Sequence, residues 1–347
     1  MTAGCDGGDI QVDADGCQVN DRAGTGTRRY DVSVVLTAYN QSSLLRIALD
    51  LLARQDFTGL WELLVCDDGS DEDTLKVVKE AFEHSDVPVR YVWQKRRNDH
   101  RTRSRNNALR CADGKVIIFL DGDMAVSDDF VRAHFAAHTE EQTVVCGTRR
   151  WLFLSDIPEE HCIPFVAQAL LKGELSSDSL YSDQWFQERY TDLGVPSLAC
   201  VGANFSFTQA SDPILFDEQF LGWGAEDQEI ASRLAYRHNY KIQFCPSISG
   251  LHLDRGSRKT FSPVRVTTRF DVCCYVANVV RFHLLYPELD IQLACVNLGY
   301  FELDTDSDSW IRSSDSHFEK EHISRLMAQA TEWFHRFGGG YIPGRIE

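Results

Sequence analysis

Between Tyr30 and Asp123 short apolar runs alternate with amphipathic stretches, and this alternation restricts the fold more than any other feature. Asp31-Val32-Ser33-Val34-Val35-Leu36 reads as a buried strand, closed by Thr37-Ala38-Tyr39-Asn40. Leu45, Ala48, Leu49 and Leu52 then keep helical spacing, with Ser42 or Ser43 placed to cap the helix. The unit recurs, with a strand over Trp61 to Cys66, a turn at Asp67-Asp68-Gly69-Ser70 and a helix over Thr74 to Phe82. A third strand over Val87 to Val92, a helix over Ser104 to Cys111 and a fourth strand over Val116 to Leu120 complete the series. Strand alternating with helix at this spacing predicts an α/β fold, a mostly parallel sheet flanked by helices. Ligands of such sheets bind beyond the carboxyl ends of the strands. Thr37-Ala38-Tyr39, Asp67-Asp68 and Asp121-Gly122-Asp123 should therefore converge on one edge.

Beyond residue 150 the pattern loosens. A strand is expected over Val201 to Phe207, a helix over Glu226 to Tyr236 and a strand over Ile242 to Cys245. Arg255-Gly256-Ser257-Arg258-Lys259 is a basic loop, flexible enough to close over a ligand and exclude water. A long helix from Val264 to Leu285, an acidic loop from Asp304 to Asp308 and a last helix from Phe318 to Phe337 follow, the last stopped by Gly338-Gly339-Gly340. Residues 1–29 lack periodicity and read as a disordered tail. The expected division is thus that tail, a main domain over 30–262 and a C-terminal helical region over 263–347. Within the main domain, 30–125 should be the nucleotide-binding half and 126–262 the acceptor and metal half.

A net charge of −17 argues against a nucleic-acid partner, which would demand a basic face. No apolar run reaches the roughly 18–20 residues of a membrane span. Val272 to Leu285 comes nearest and is broken by Asn278, Arg281 and His283. The N-terminus has neither a basic start nor an apolar core, so no signal peptide is read there. Eleven scattered cysteines without a Cys-x-x-Cys pair fit a reducing compartment, and a cytoplasmic location is expected. Cys66, Cys111, Cys146 and Cys245 lie in or beside apolar runs and read as buried thiols.

Asp121 and Asp123 flank Gly122 directly after an apolar strand, so both carboxylates can face one divalent cation. Such a cation would neutralise a departing nucleoside diphosphate. A solvated turn is the plain alternative, and a haloacid-dehalogenase-type phosphohydrolase with Asp121 as nucleophile is another. In such phosphatases the motif usually opens its domain, whereas here three strand–helix units precede it. In Gly222-Trp223-Gly224-Ala225-Glu226-Asp227, Gly224 and Ala225 allow close backbone approach and Trp223 offers a flat face for a sugar ring. Glu226 or Asp227 could deprotonate an acceptor hydroxyl, or could merely stabilise a helix N-terminus. His252 is a candidate third metal ligand, tilting selectivity toward Mn²⁺ over Mg²⁺. Lys95, Arg96, Arg97, Arg101, Arg103 and Arg105 form a basic cluster, of which one or two members could meet phosphate or the acidic motif. A metal clamp plus a carboxylate base beside a Trp describes sugar transfer from a nucleotide donor, with a non-catalytic sugar-binding protein as the remaining alternative.

Thr37 to Asn40, Asp67 to Ser70, Arg105-Asn106, Phe119 to Met124, Gly202-Ala203-Asn204, Gly222 to Asp227 and His252 occur in an order that resembles family 2 glycosyltransferases of the GT-A (Rossmann-like) fold. The second half is similar to the galactosyltransferase-type region of chondroitin-polymerase and β-1,4-galactosyltransferase relatives. The resemblance runs from about Val32 to about Arg255 and implies contacts of Thr37, Tyr39 and Asp68 with uridine. It also implies that Arg105 steadies the nucleotide or the acidic motif, and that Asp121 touches ribose and metal. Asp123 and His252 would be direct metal ligands, Asn204 would lie near the donor sugar or diphosphate, and Trp223 and Glu226 would bind sugar. Asp227 would be the base of an inverting transfer of hexose or N-acetylhexosamine from a UDP-sugar to a glycan, metabolite or peptide side chain. Ala225 departs from the several relatives that carry a second glycine there, and residues 97–101 are more basic than in many of them. Residues 262–347 match nothing in the family, and an acceptor-binding or homodimerising helical appendage is the expectation for them.

Overall fold

The computed structural model describes residues 29–83, 86–96, 101–172, 183–256, 268–287, 289, 298–315 and 317–336. The expected tail over 1–28, Arg97, the Arg258-Lys259 part of the basic loop, the start of the long helix at Val264 and the triple glycine after 337 lie outside them. The chain forms two compact units, the first within 1–97, 103–215 and 231–261 and the second within 98–102, 216–230 and 262–347. The second unit's C-terminal segment begins at Ser262, and residues 98–102 and 216–230 group with it. The Gly222–Asp227 string groups with the C-terminal region.

In chain order the elements up to residue 254 are β1 (Tyr30–Ala38), α1 (Ser42–Leu52), β2 (Trp61–Asp67), α2 (Glu72–Phe82), β3 (Val89–Trp93), α3 (Arg101–Cys111) and β4 (Gly114–Asp121). They continue with β5 (Met124–Val126), α4 (Phe130–Ala137), β6 (Thr143–Phe153), α5 (Glu159–Lys172), α6 (Asp183–Asp192), β7 (Asn204–Thr208), α7 (Glu226–Arg237) and β8 (Lys241–Asp254). One eight-stranded sheet runs β3-β2-β1-β4-β7-β6-β8-β5. The β3-β2-β1-β4 half is parallel, β7 is antiparallel to both β4 and β6, and β6 and β8 pair in parallel. The expected α/β sheet flanked by helices is thus present, its parallel half built from the first four strand–helix repeats.

Hydrophobic periodicity sets the register. Val34 faces Leu63 on one side and Ile118 on the other. Alternate residues of these strands pack with Leu45 and Leu49 of α1 and with Val78 and Phe82 of α2. Each such buried side chain contributes about 1.5–3 kcal/mol, and a one-residue slip would forfeit the whole face. The other side of α1 (Leu44, Ile47, Leu51) joins Leu152, Val166 and Leu251 in a second apolar cluster. The same register brings Thr37 opposite both Cys66 and Asp121, so the three expected segments do end on one edge. The serine cap of α1 is not formed. Gln41 is the N-cap residue, left-handed and without a side-chain bond, and Ser42 already lies in the helix.

The second unit contains α8 (Arg269–Leu285), the antiparallel hairpin of β9 (Phe301–Asp304) and β10 (Ser309–Arg312), and α9 (Lys320–Arg336). The C-terminal region is therefore not wholly helical, because the acidic stretch from Asp304 to Asp308 makes the turn of a hairpin. Trp310 is fully buried there, and Trp333 of α9 donates its indole N–H to Asp308 O at 3.0 Å. Among the described residues no helix is long and apolar enough to cross a membrane.

Candidate active site

The edge of the parallel strands in the first unit gathers the acidic candidates. Asp121 is the last residue of β4, and its Oδ1 accepts from Thr37 Oγ1 at 2.8 Å and from the buried Arg105 guanidinium at 3.4 Å. The chain turns at Gly122, where a Cβ would lie 2.5 Å from Thr37 O, so only glycine fits that approach. Asp123 follows, its backbone carbonyl accepting from Leu253 N at 2.8 Å. Pairing of Met124 with His252 in the β5–β8 ladder brings the imidazole to the carboxylate, with Nε2 to Asp123 Oδ1 at 2.9 Å.

One ligand atom from each of Asp121, Asp123 and His252 lies within 4.8 Å of the others. Two carboxylates and an imidazole suit a hard-to-borderline divalent cation. The ring nitrogen that faces the carboxylates is His252 Nε2, while Nδ1 is buried without a hydrogen-bond partner among the described residues. Trp151, opposite His252 in the β6–β8 register, packs on the imidazole with ring centroids 4.0 Å apart and fixes its tilt. No strand pattern marks β6 in the sequence, so nothing local singles out Trp151.

Beside this cluster lies a second carboxylate group. Asp68 is buried, with Oδ1 accepting from Gln94 Nε2 at 2.6 Å and Oδ2 from Arg96 at 3.1 Å. Gln94 Oε1 accepts from Asn107 Nδ2 at 3.1 Å, which fixes the amide so that Nε2 must donate to Asp68. The Arg96 guanidinium also lies over the half-exposed Tyr39 ring, 3.5 Å from its centroid. Of the basic cluster, Arg96 and Arg105 thus meet the acidic candidates. Asp67 points inward, bonded by Tyr91 Oη and Ser70 N, and burial raises its pKa.

Asn204, expected near the donor sugar or diphosphate, makes its hydrogen bonds inside the sheet. It is fully buried, its Nδ2 donates to Thr148 O at 2.9 Å and Ile248 O at 3.0 Å, and its Oδ1 meets His134 Nε2 at 2.9 Å. Both amide atoms serve the interior, so Asn204 ties β6 to β8 four residues ahead of His252 and is a positioning residue. Gly147 leaves the room for this, since a Cβ there would sit 2.4 Å from Asn204 Nδ2. Because carbonyls only accept, His134 Nε2 must be the protonated nitrogen. Its Nδ1 then accepts from Ser206, which in turn accepts from His138 Nε2. Burial holds both imidazoles neutral, with pKa values lowered to about 3 for His134 and about 4 for His138. Arg255 contacts Ile157 O at 3.5 Å and Cys162 Sγ at 3.3 Å. Cys66 and Cys146 are buried thiols as expected, while Cys111 and Cys245 are half-buried.

The second unit holds Trp223, Gly224, Glu226 and Asp227. Glu226 is buried and its Oε2 accepts from Gly224 N at 2.8 Å, so this carboxylate shapes the loop. Asp227 is half-exposed in the first turn of α7, and Trp223 is half-buried with its ring against Tyr275.

Residues 33–209 match the family model described as glycosyl transferase family 2, more than half of the chain. The chain belongs to that family and is a glycosyltransferase, which sets aside the phosphohydrolase alternative. It is 28% identical over 238 residues to the hyaluronan synthase of Pasteurella multocida, 64% of this chain and 24% of that protein. It is also 28% identical over 306 residues to the validoxylamine A glucosyltransferase of Streptomyces hygroscopicus subsp. jinggangensis (strain 5008), 78% of this chain and 65% of that one. The chain thus spans about a quarter of the synthase and just under two thirds of the glucosyltransferase. A mannosyltransferase from Pyrobaculum calidifontis, solved with GDP-Man and Mn2+, aligns at TM-score 0.49 and 14% identity over 91% of this chain and 77% of its own. At that level neither site nor substrate is transferred from it.

Proposed function

We propose that this glycosyltransferase moves a hexose or N-acetylhexosamine from a UDP-sugar to an acceptor hydroxyl, with inversion and with a divalent cation, Mn²⁺ by preference. The observation that carries the reading is the Asp121–Asp123–His252 cluster at the edge that also bears Asp68 and Tyr39. Asp121, Asp123 and His252 would hold the cation. When bound, it supplies charge neutralisation for the departing nucleoside diphosphate. Thr37 and Arg105 keep the Asp121 carboxylate oriented. Asp68, oriented by Gln94 and Arg96, would accept the uracil imide N–H, which cytosine lacks. Tyr39 offers the base an aromatic face. Asp227 would take the acceptor proton, and Trp223 would stack on a sugar ring. The two relatives, a polysaccharide synthase and a glucosyltransferase, favour a sugar or sugar-like acceptor. A homodimer through the C-terminal helices is the assembly proposed, readable from the mass in solution.

The test is UDP release from a panel of UDP-hexoses with Mn²⁺, Mg²⁺ or chelator, first without an acceptor. Mn²⁺-dependent hydrolysis of one donor is expected, and chelator should abolish it. Asp123→Ala should remove metal-dependent UDP-sugar binding and lower turnover on the order of 10³-fold or more. Metal-dependent binding that survives in this variant would refute the ligand assignment.

A further inference from the structure

The loop from Leu221 to Ala225 has no ladder or helix of its own to hold it. Gly222, Gly224 and Ala225 all carry positive φ, at +69°, +107° and +66°. Such a backbone needs outside contacts to select one conformation. Those contacts come from α8, in the region to which the sequence assigned no matched function.

Asn278 of α8 is 2% exposed and lies among apolar helix residues such as Val272, Val276 and Val280. A buried amide is costly unless its bonds are made. Its Oδ1 accepts from Leu221 N at 3.2 Å, and its Nδ2 donates to Leu221 O at 2.7 Å and Gly224 O at 3.0 Å. One side chain therefore brackets Gly222-Trp223 on both sides. Less than one turn earlier, Tyr275 stacks on Trp223, with ring centroids 5.4 Å apart and planes 24° apart. A Cβ on Gly224 would meet that Tyr275 ring at 2.4 Å, and one on Gly222 would meet Cys274 Cβ at 3.1 Å. Residues 274, 275 and 278 share one helix face by their spacing, so the loop is moulded on a single surface.

We propose that α8 belongs to the transfer machinery, with Asn278 and Tyr275 as positioning residues that present the Trp223 ring to a sugar. The inference rests on the reading of the protein as a UDP-sugar transferase in which Trp223 binds sugar. Glu226 closes the same loop from its other end through Gly224 N, so the platform and the carboxylate Asp227 are held by one constellation. The chain after residue 262 would thus act in catalysis through this loop, rather than serving only as a dimerising appendage.

Asn278→Asp tests this, because it keeps the shape and the acceptor for Leu221 N but loses both donated bonds. Amide exchange across residues 217–226 should quicken at least about tenfold, and the thermal midpoint should fall because the buried carboxyl faces two carbonyls. Turnover of the UDP-hexose used by the unaltered protein should fall by about 10–100-fold, as misplacement of a binding group costs. The affinities for UDP and Mn²⁺, measured by titration, should hold. Tyr275→Ala should reproduce the loss of turnover, and Tyr275→Phe, which keeps the ring, should restore it. Normal turnover in Asn278→Asp beside an active unaltered protein would overturn the positioning role alone. A fall of turnover matched by an equal fall of UDP affinity would also overturn it, by showing a general structural role. No turnover of any donor by the unaltered protein would instead overturn the transferase reading beneath it.

Discussion

The two acidic motifs are built on opposite plans. Asp121-Gly122-Asp123 leaves a central strand whose register is fixed on both sides, by β1 and by β7. Its carboxylates are aimed by neighbours one strand away, Thr37 and His252. Gly222–Asp227 has no ladder, and its left-handed backbone is held by Asn278, some fifty residues further along the chain. A strand end inherits its geometry from the hydrophobic pattern that makes the sheet. A loop of this kind borrows its geometry from one buried polar side chain, and is correspondingly more open to single substitutions.

The sharpest way to separate the two is Asp227→Asn. If the loop supplies the base, this change should lower transfer by roughly 10²–10⁴-fold, the usual range for a general base. Binding of UDP and Mn²⁺, proposed for the strand-end motif, should be unaffected in calorimetric titration. That split would be the mirror image of the one expected of Asp123→Ala, where binding itself is lost. Transfer at the normal rate would remove Asp227 from the mechanism. Glu226, already committed to Gly224 N, is the less suitable replacement because its carboxylate is buried.

The same contrast explains what could be read in the sequence. The first four strands, their helices and the convergence of Thr37, Asp68 and Asp121 followed from periodicity, because each apolar run has one buried face to satisfy. His252 was legible only through its place after an apolar run, and β8 proves to extend through it. β6 shows no clear strand pattern because Arg149 and Arg150 interrupt the apolar run of Thr143–Phe153. Trp151 is hidden with it, as is the interior function of Asn204, whose partners are backbone carbonyls of two strands and a histidine seventy residues away. No local pattern encodes such a cluster. Asn278 was noted only as an interruption of an apolar run, whereas the structure makes it the residue that forms the loop.

The buried His134–Ser206–His138 cluster also predicts a pH response. His134 has its pKa lowered to about 3 by burial, against about 6.5 in the unfolded chain. Below pH 6.5 the unfolded chain takes up a proton that the native imidazole refuses, so stability is full above that pH and falls as the pH drops toward 3. Between pH 7 and pH 5 the loss from this residue should be on the order of 2 kcal/mol, read as a lower urea midpoint. Most carboxylates remain ionised over that window, so the histidines should dominate it. His134→Asn should flatten this part of the curve even if it lowers the plateau. A profile of unchanged slope would mean that the imidazole is already protonated or hydrated in the native cluster.

The smallest expected effect bears most directly on the loop. Ala225 holds φ +66°, in the left-handed region that an L-residue enters at a cost of roughly 1–2 kcal/mol. Ala225→Gly relieves that strain but gives the unfolded chain more freedom, which offsets part of the gain. A net stabilisation of about 0.5–1 kcal/mol is expected, seen as a small rise in the urea midpoint. Because Asn278 and Tyr275 grip the loop at Leu221, Trp223 and Gly224, the added freedom at 225 should not loosen the Trp223 platform. Amide exchange over residues 217–226 should stay as slow as in the unaltered protein. Faster exchange in Ala225→Gly would mean that the alanine itself, and not α8, restrains this backbone, and the contrast between the two motifs would have to be drawn around residue 225 instead.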